Sequence, residues 1–124
     1  MITVNSVEII EYRAELAGNP VAIEALDMIE DCEGDVEDAA IALALHVGQE
    51  PDRSDDWLDG FVKRSRHLIC AADVKAQFNS DSIVEVLSLL AEATTIPPLL
   101  QVPVAIYLIK TGIDVFCRPF EETF

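Results

Sequence analysis

The sequence predicts an all-α protein, and three observations support this class. Polar residues that cap helices precede several apolar stretches, glycines follow the ends of those stretches, and the apolar residues between them recur at the spacing of a helix face. We expect a compact single-domain bundle, covering 1–124, of about six or seven short helices. An apolar helix at 36–47 is expected at its centre, packed on the C-terminal segment 96–117.

The first predicted helix begins after Asn5, which forms a capping-box pattern with Glu8, and ends near Ala17 before Gly18. Its residues fall on three sides of the helical wheel: Glu8, Glu11 and Glu15; Val7, Ile10, Ala14 and Ala17; and Ile9, Tyr12 and Leu16. Two of the three sides are apolar. The pattern therefore predicts a helix that contacts protein on two sides and presents one acidic edge to solvent.

The second helix is predicted from Pro20 to about Glu33, with an acidic outer face and one apolar stripe. Asp35 then caps a third helix that runs to about Val47, in which His46 is the only polar residue after Asp38. A helix that is apolar all round is normally buried all round. We therefore expect this helix to be central and its histidine to be buried.

Ser54 is expected to cap a fourth helix, which continues to about Ala72 and places Lys63, Arg64, Arg66 and His67 toward its end. A fifth helix is predicted at 83–93, with a second capping box formed by Ser82 and Glu85.

The stretch 96–117 is the most apolar part of the chain, and its prolines predict two pieces. A short helix is expected to start at Pro97, and a second to run from Pro103 to Thr111, where Gly112 ends it. A buried strand at 104–109 is the alternative, because short apolar runs do not reveal their period. Prolines and polar residues interrupt the stretch often enough that we expect no membrane span.

Charge is the extreme property of this chain of 124 residues, which carries a formal net charge of −15. Residues 1–62 hold sixteen acids and two arginines, a net charge of −14, whereas residues 63–124 hold seven acids and six bases. Such a field repels nucleic acids and anionic lipids and attracts a basic partner. The simpler interpretation is that the charge keeps the protein soluble.

Three scattered cysteines without a C-x-x-C spacing predict reduced thiols in a cytoplasmic protein. The start of the chain has no secretory-signal pattern. No glycine-rich phosphate motif, Glu-x-x-His pair or calcium-loop pattern is present, so we predict no cofactor and no metal.

These observations favour a noncatalytic protein-binding or regulatory module that acts through an acidic surface on a basic protein partner. The candidate partner-binding residues are Glu30, Asp31, Asp35, Glu37, Asp38, Asp55, Asp56 and Asp59. The main alternative is a small-molecule binding protein or enzyme with a pocket near His46 and Tyr107. An acidic mimic of DNA, and a homo-oligomer in which Lys63, Arg64 and Arg66 meet the acidic half of a second copy, also remain open.

Overall fold

A computed structural model describes residues 2–51, 57–78 and 81–123, and these residues form nine helices. The all-α class is confirmed, although the helices are more numerous than predicted. In chain order they are α1 Ser6–Glu15, α2 Pro20–Asp31, α3 Val36–His46, α4 Trp57–Lys63, α5 Arg66–Ile69, α6 Ala72–Lys75, α7 Ile83–Ala93, α8 Pro98–Thr111 and α9 Ile113–Thr123.

Helix α8 is the centre of the protein and packs chiefly against α2, α7 and α3. From Leu99 to Leu108 every residue of α8 except Gln101 is buried. The predicted packing of the third helix on this segment is therefore confirmed. The segment itself supplies the centre of the core, because α8 packs against α2, α3, α4, α7 and α9 and nine of its residues are buried.

The predicted break at Pro103 is wrong, since α8 continues through this residue. Pro103 lacks the amide that would bond the carbonyl four residues earlier, and an interior proline costs a helix about 3 kcal/mol. A continuous helix buries Val102, Val104 and Ile106 almost completely, and each such side chain contributes roughly 1.5–3 kcal/mol. Burial along the whole helix therefore outweighs the local cost of the proline. Gly112 ends α8 in the left-handed region, as predicted.

The predicted caps of the first three helices are present. Asn5 and Glu8 form both hydrogen bonds of the capping box, and Asn19 accepts from the amide of Ala22. Asp35 caps α3 by accepting from the amide of Asp38 at 3.1 Å. The start of each helix was thus determined by its local sequence. At α7 the position of the cap is right, but Ser82 makes no capping hydrogen bond through its side chain.

The N-terminal segment 2–4 lies against the turn between α2 and α3 and forms an isolated antiparallel bridge there. The amide of Val4 donates to the carbonyl of Gly34 at 2.9 Å, and the amide of Val36 donates to the carbonyl of Ile2 at 3.1 Å. Gly34 has a φ of +85°, and a Cβ built on it would lie 2.1 Å from the Val4 carbonyl oxygen. Only glycine fits this contact.

The predicted fourth helix is divided into α4 and α5, and α6 begins at Ala72, where the predicted helix ends. Residues 64–65 form a turn between α4 and α5, and Ile69 of α5 is buried in the core. The proposed cap Ser54 lies outside the described residues.

Helix α3 is not buried on all sides, contrary to the prediction. Its inner side is fully buried, whereas Leu45 is 56% exposed and His46 is also exposed. Helix α8 and its neighbours cover one side of α3, and the described residues leave the other side open to solvent.

The prediction of three reduced cysteines is wrong, because Cys70 and Cys117 form a disulfide that joins the end of α5 to α9. Cys32 is half-buried and unbonded. Reduced thiols were one of the grounds for the predicted cytoplasmic location, which stays a prediction.

Among the described residues no single helix is both long and apolar enough to cross a membrane. Helix α8 and residues 113–119 together reach the length and composition of a span, but they meet at an angle of 90°.

Candidate functional site

The most prominent surface is the acidic outer side of α2 and of the turn that leads into α3. Its side chains are carboxylates that are all exposed to solvent: Glu24, Asp27, Glu30, Asp31, Glu33 and Asp38. We call this set the acidic surface. Residues 2–51 contain twelve carboxylates and only Arg13 as a base, so the local charge is not neutralised within this part of the chain.

Arg13 lies at one edge of the acidic surface and joins α1 to α2. Its guanidinium is 2.8 Å from a carboxylate oxygen of Asp27 and 3.4 Å from one of Glu30. The hydrogen bond to Asp27 is the main reason that the pKa of Arg13 is raised. The arginine is therefore already paired by two acids of its own chain, and a partner would meet a net negative edge.

The eight acids predicted as partner-binding residues fall into different environments. Glu30, Asp31 and Asp38 are exposed and belong to the acidic surface. Asp35 and Glu37 are half-buried; the first caps α3, and the second accepts a hydrogen bond from the amide of Ile2 at 3.1 Å.

Of the remaining three predicted acids, two precede α4 in the sequence and Asp59 lies within it. Asp55 and Asp56 lie outside the described residues. Asp59 is half-buried at the boundary between α4 and α8, where it binds Tyr107. The structure thus brings together only part of the predicted set on one surface.

Asp59 is the acceptor in a small polar cluster between α4 and α8. Tyr107 donates a hydrogen bond to one of its oxygens, and Lys63 lies 2.6 Å from the other. Partial burial alone would raise the pKa of Asp59, but the hydrogen bonds from Lys63 and Tyr107 outweigh that effect and lower it. Burial and the bond to Asp59 raise the pKa of Tyr107 far above its ordinary value. The phenol therefore stays protonated as a donor.

Aromatic contacts extend this cluster toward the disulfide. The ring of Tyr107 meets that of Phe116 edge to face at 6.0 Å, and the guanidinium carbon of Arg66 lies 4.8 Å from the centre of the Phe116 ring. The Nε atom of Arg66 is buried without a hydrogen-bond partner in the part of the chain that the structure describes. Stacking of the Arg66 guanidinium on the Phe116 ring offsets part of the free-energy cost of burying Nε without a hydrogen bond. Every side chain of the cluster is thus engaged in holding α4, α5, α8 and α9 together.

His46 and Tyr107, the residues predicted to lie near a pocket, occupy different environments. His46 is exposed at the last turn of α3, whereas Tyr107 is 7% exposed and bound to Asp59. Neither residue lines any of the three cavities described next.

Three shallow cavities lie on the described surface. A groove of about 330 Å³ lies between α1 and α7 and has Leu16, Leu87 and Val84 among its lining residues. A depression of about 410 Å³ lies on the outer side of α3 beside Ile41 and Leu45, and one of about 40 Å³ lies near Gly112. None of them encloses a pair of groups suited to acid–base or nucleophilic chemistry.

Metal-binding side chains do not converge within the described ranges. No group of three or more His, Cys, Asp or Glu side chains is placed to hold an ion there. The carboxylates of the acidic surface point outward along a convex helix face, which is the arrangement of a solvated surface.

Sequence reasoning missed both the disulfide and the Asp59–Tyr107 cluster. Cys70 and Cys117 are 47 residues apart, and Asp59 and Tyr107 are 48 apart. Nothing in the local sequence marks such long-range pairs. A buried tyrosine usually needs a partner for its hydroxyl, so the isolated Tyr107 in an apolar helix was the only available signal.

A scan of protein-family models, a search of curated proteins and a search of solved structures each find no match to this chain.

Proposed function

We propose that this protein is a noncatalytic module that binds a basic protein partner through the acidic surface. The observation that supports this most is the imbalance of charge in residues 2–51, where twelve carboxylates face a single arginine that is itself paired. A field of this kind accelerates association with a positively charged partner and selects against acidic ones.

The polar groups elsewhere support the same proposal. Asp59, Lys63, Tyr107 and Arg66 bind one another or stack on Phe116. These contacts give the four side chains a structural role. The described cavities do not combine side chains suited to catalysis.

The test compares three forms of the protein as immobilised baits at low and high salt. One variant removes charge from the acidic surface: Glu30→Gln, Asp31→Asn and Asp38→Asn. A matched control removes the same charge from exposed acids elsewhere: Asp73→Asn, Glu85→Gln and Glu92→Gln. We expect basic proteins to be retained at low salt by the wild type and by the control, to be released at high salt, and to be lost by the first variant. Equal retention by both variants would contradict the proposal.

A further inference from the structure

Helix α1 carries an apolar stripe that no other part of the described chain covers. Val7 and Ile10 are 62% and 66% exposed, and Ala14 is exposed as well. Their spacing of three and four residues places them on one side of the helix, one turn above another. Ile9 and Leu16 are buried on the opposite side. The sequence predicted protein contact on two sides of this helix, and the fold satisfies only one of them.

We infer that this α1 stripe (Val7, Ile10 and Ala14) is the docking site for a basic amphipathic helix of another protein, an inference that rests on the proposed function. A helix recognises a helix through apolar anchors at these spacings, and specificity comes from the charges beside them. The anchors are present in α1, and each edge of the stripe carries a net negative charge.

The first edge of the stripe is formed by Glu11 and Glu15, which are exposed on the same side of α1. The second edge faces α2, where Arg13 is paired with Asp27 and Glu30 of the acidic surface. Two carboxylates against one guanidinium leave this edge negative. A docked helix would therefore place its apolar residues on the stripe and its lysines or arginines over both edges.

A second copy of the chain fits this surface poorly. A stable interface buries about 800 Å² on each partner. The stripe offers much less area, because it consists of three side chains and two of them, Val7 and Ala14, are small. An interface large enough would have to include the flanking acids. Two copies, each with a net charge of −15, would bring those acids together.

The test uses two labelled synthetic peptides of identical composition. One is a helix of about three turns with leucines at the anchor spacing and lysines at all other positions, and the other has the same residues in shuffled order. Binding to the full-length protein is measured by fluorescence anisotropy at low salt. We expect the amphipathic peptide to bind at least about tenfold more tightly than the shuffled one.

Two double variants locate the binding site. Val7→Ser with Ile10→Ser removes the stripe, while Leu45→Ser with Val115→Ser removes two side chains of comparable exposure, 56% and 52%, from other helices. We expect the first variant to bind both peptides equally and the second to keep the wild-type preference. Circular dichroism confirms that each variant is folded, which is expected because all four positions are exposed.

The outcomes separate this inference from the proposed function. If both peptides bind equally well to the wild type and the acidic-surface variant loses that binding, the inference is wrong and the proposed function stands. If neither peptide binds, both fail. Sedimentation that shows a dimer of the wild type but a monomer of the Val7→Ser/Ile10→Ser variant would assign the stripe to a second copy and overturn the inference.

Discussion

Replacing Gly34 by alanine tests how the N-terminal segment is held on the turn between α2 and α3. The backbone of Gly34 is left-handed, which costs an alanine about 1–2 kcal/mol. The added Cβ would also meet the Val4 carbonyl oxygen at 2.1 Å, so the segment has to move. Two backbone hydrogen bonds then weaken, at about 1 kcal/mol each, and the buried side chain of Val4 loses up to about 2 kcal/mol.

We therefore expect Gly34→Ala to lower the free energy of unfolding by about 3–6 kcal/mol. Gly48 provides a matched control, because its φ is +77° but nothing lies within 4 Å of a Cβ built on it. Gly48→Ala should cost only the backbone term of about 1–2 kcal/mol. Urea denaturation followed by circular dichroism measures both values. If the two variants differ by less than about 1 kcal/mol, the contact with Val4 does not hold the segment.

Three further predictions concern the interior. Replacing Cys70 and Cys117 by serine opens a loop of 47 residues and should lower the free energy of unfolding by about 4 kcal/mol. Alkylation of the denatured, unreduced wild type should modify one thiol. Three modified thiols would contradict the pairing. Tyr107→Phe removes a hydrogen bond that lowers the pKa of Asp59, so this pKa should rise in a carbon-detected NMR titration. Because the pKa of Asp59 is lowered in the folded protein, its stabilising effect is complete above the ordinary pKa of 3.8 and is lost as the pH falls through the folded value. An unchanged pKa of Asp59 in the Tyr107→Phe variant would refute the hydrogen bond. Ile106→Ala should cost about 2–5 kcal/mol in urea unfolding, and a cost below 1 kcal/mol would argue against a central α8.

The elements that sequence reasoning located correctly are those with local signals. Asn5 with Glu8, Asn19 with Pro20, and Asp35 each begin a helix because they satisfy amides within their own first turn. Helix α7 likewise spans the predicted range, Ile83–Ala93. Such contacts span only three or four positions and therefore depend little on the rest of the fold.

The errors arose where a distant part of the chain decides the outcome. Pro103 would end an isolated helix. In the folded protein, burial of α8 side chains against the neighbouring helices contributes more free energy than the hydrogen bond lost at the proline. His46 belongs to an apolar helix and is nevertheless exposed, because nothing in the described chain packs over that end of α3.

The two candidate surfaces, the acidic surface and the α1 stripe, differ in the same way. The sequence by itself determined the helical class, the starts of the first three helices and the concentration of negative charge in its first half, since these depend on composition and local spacing. Only the tertiary structure decided which apolar faces find a neighbour. Periodicity shows that Val7 and Ile10 share a face, but whether that face meets another helix or solvent depends on the packing of the whole chain.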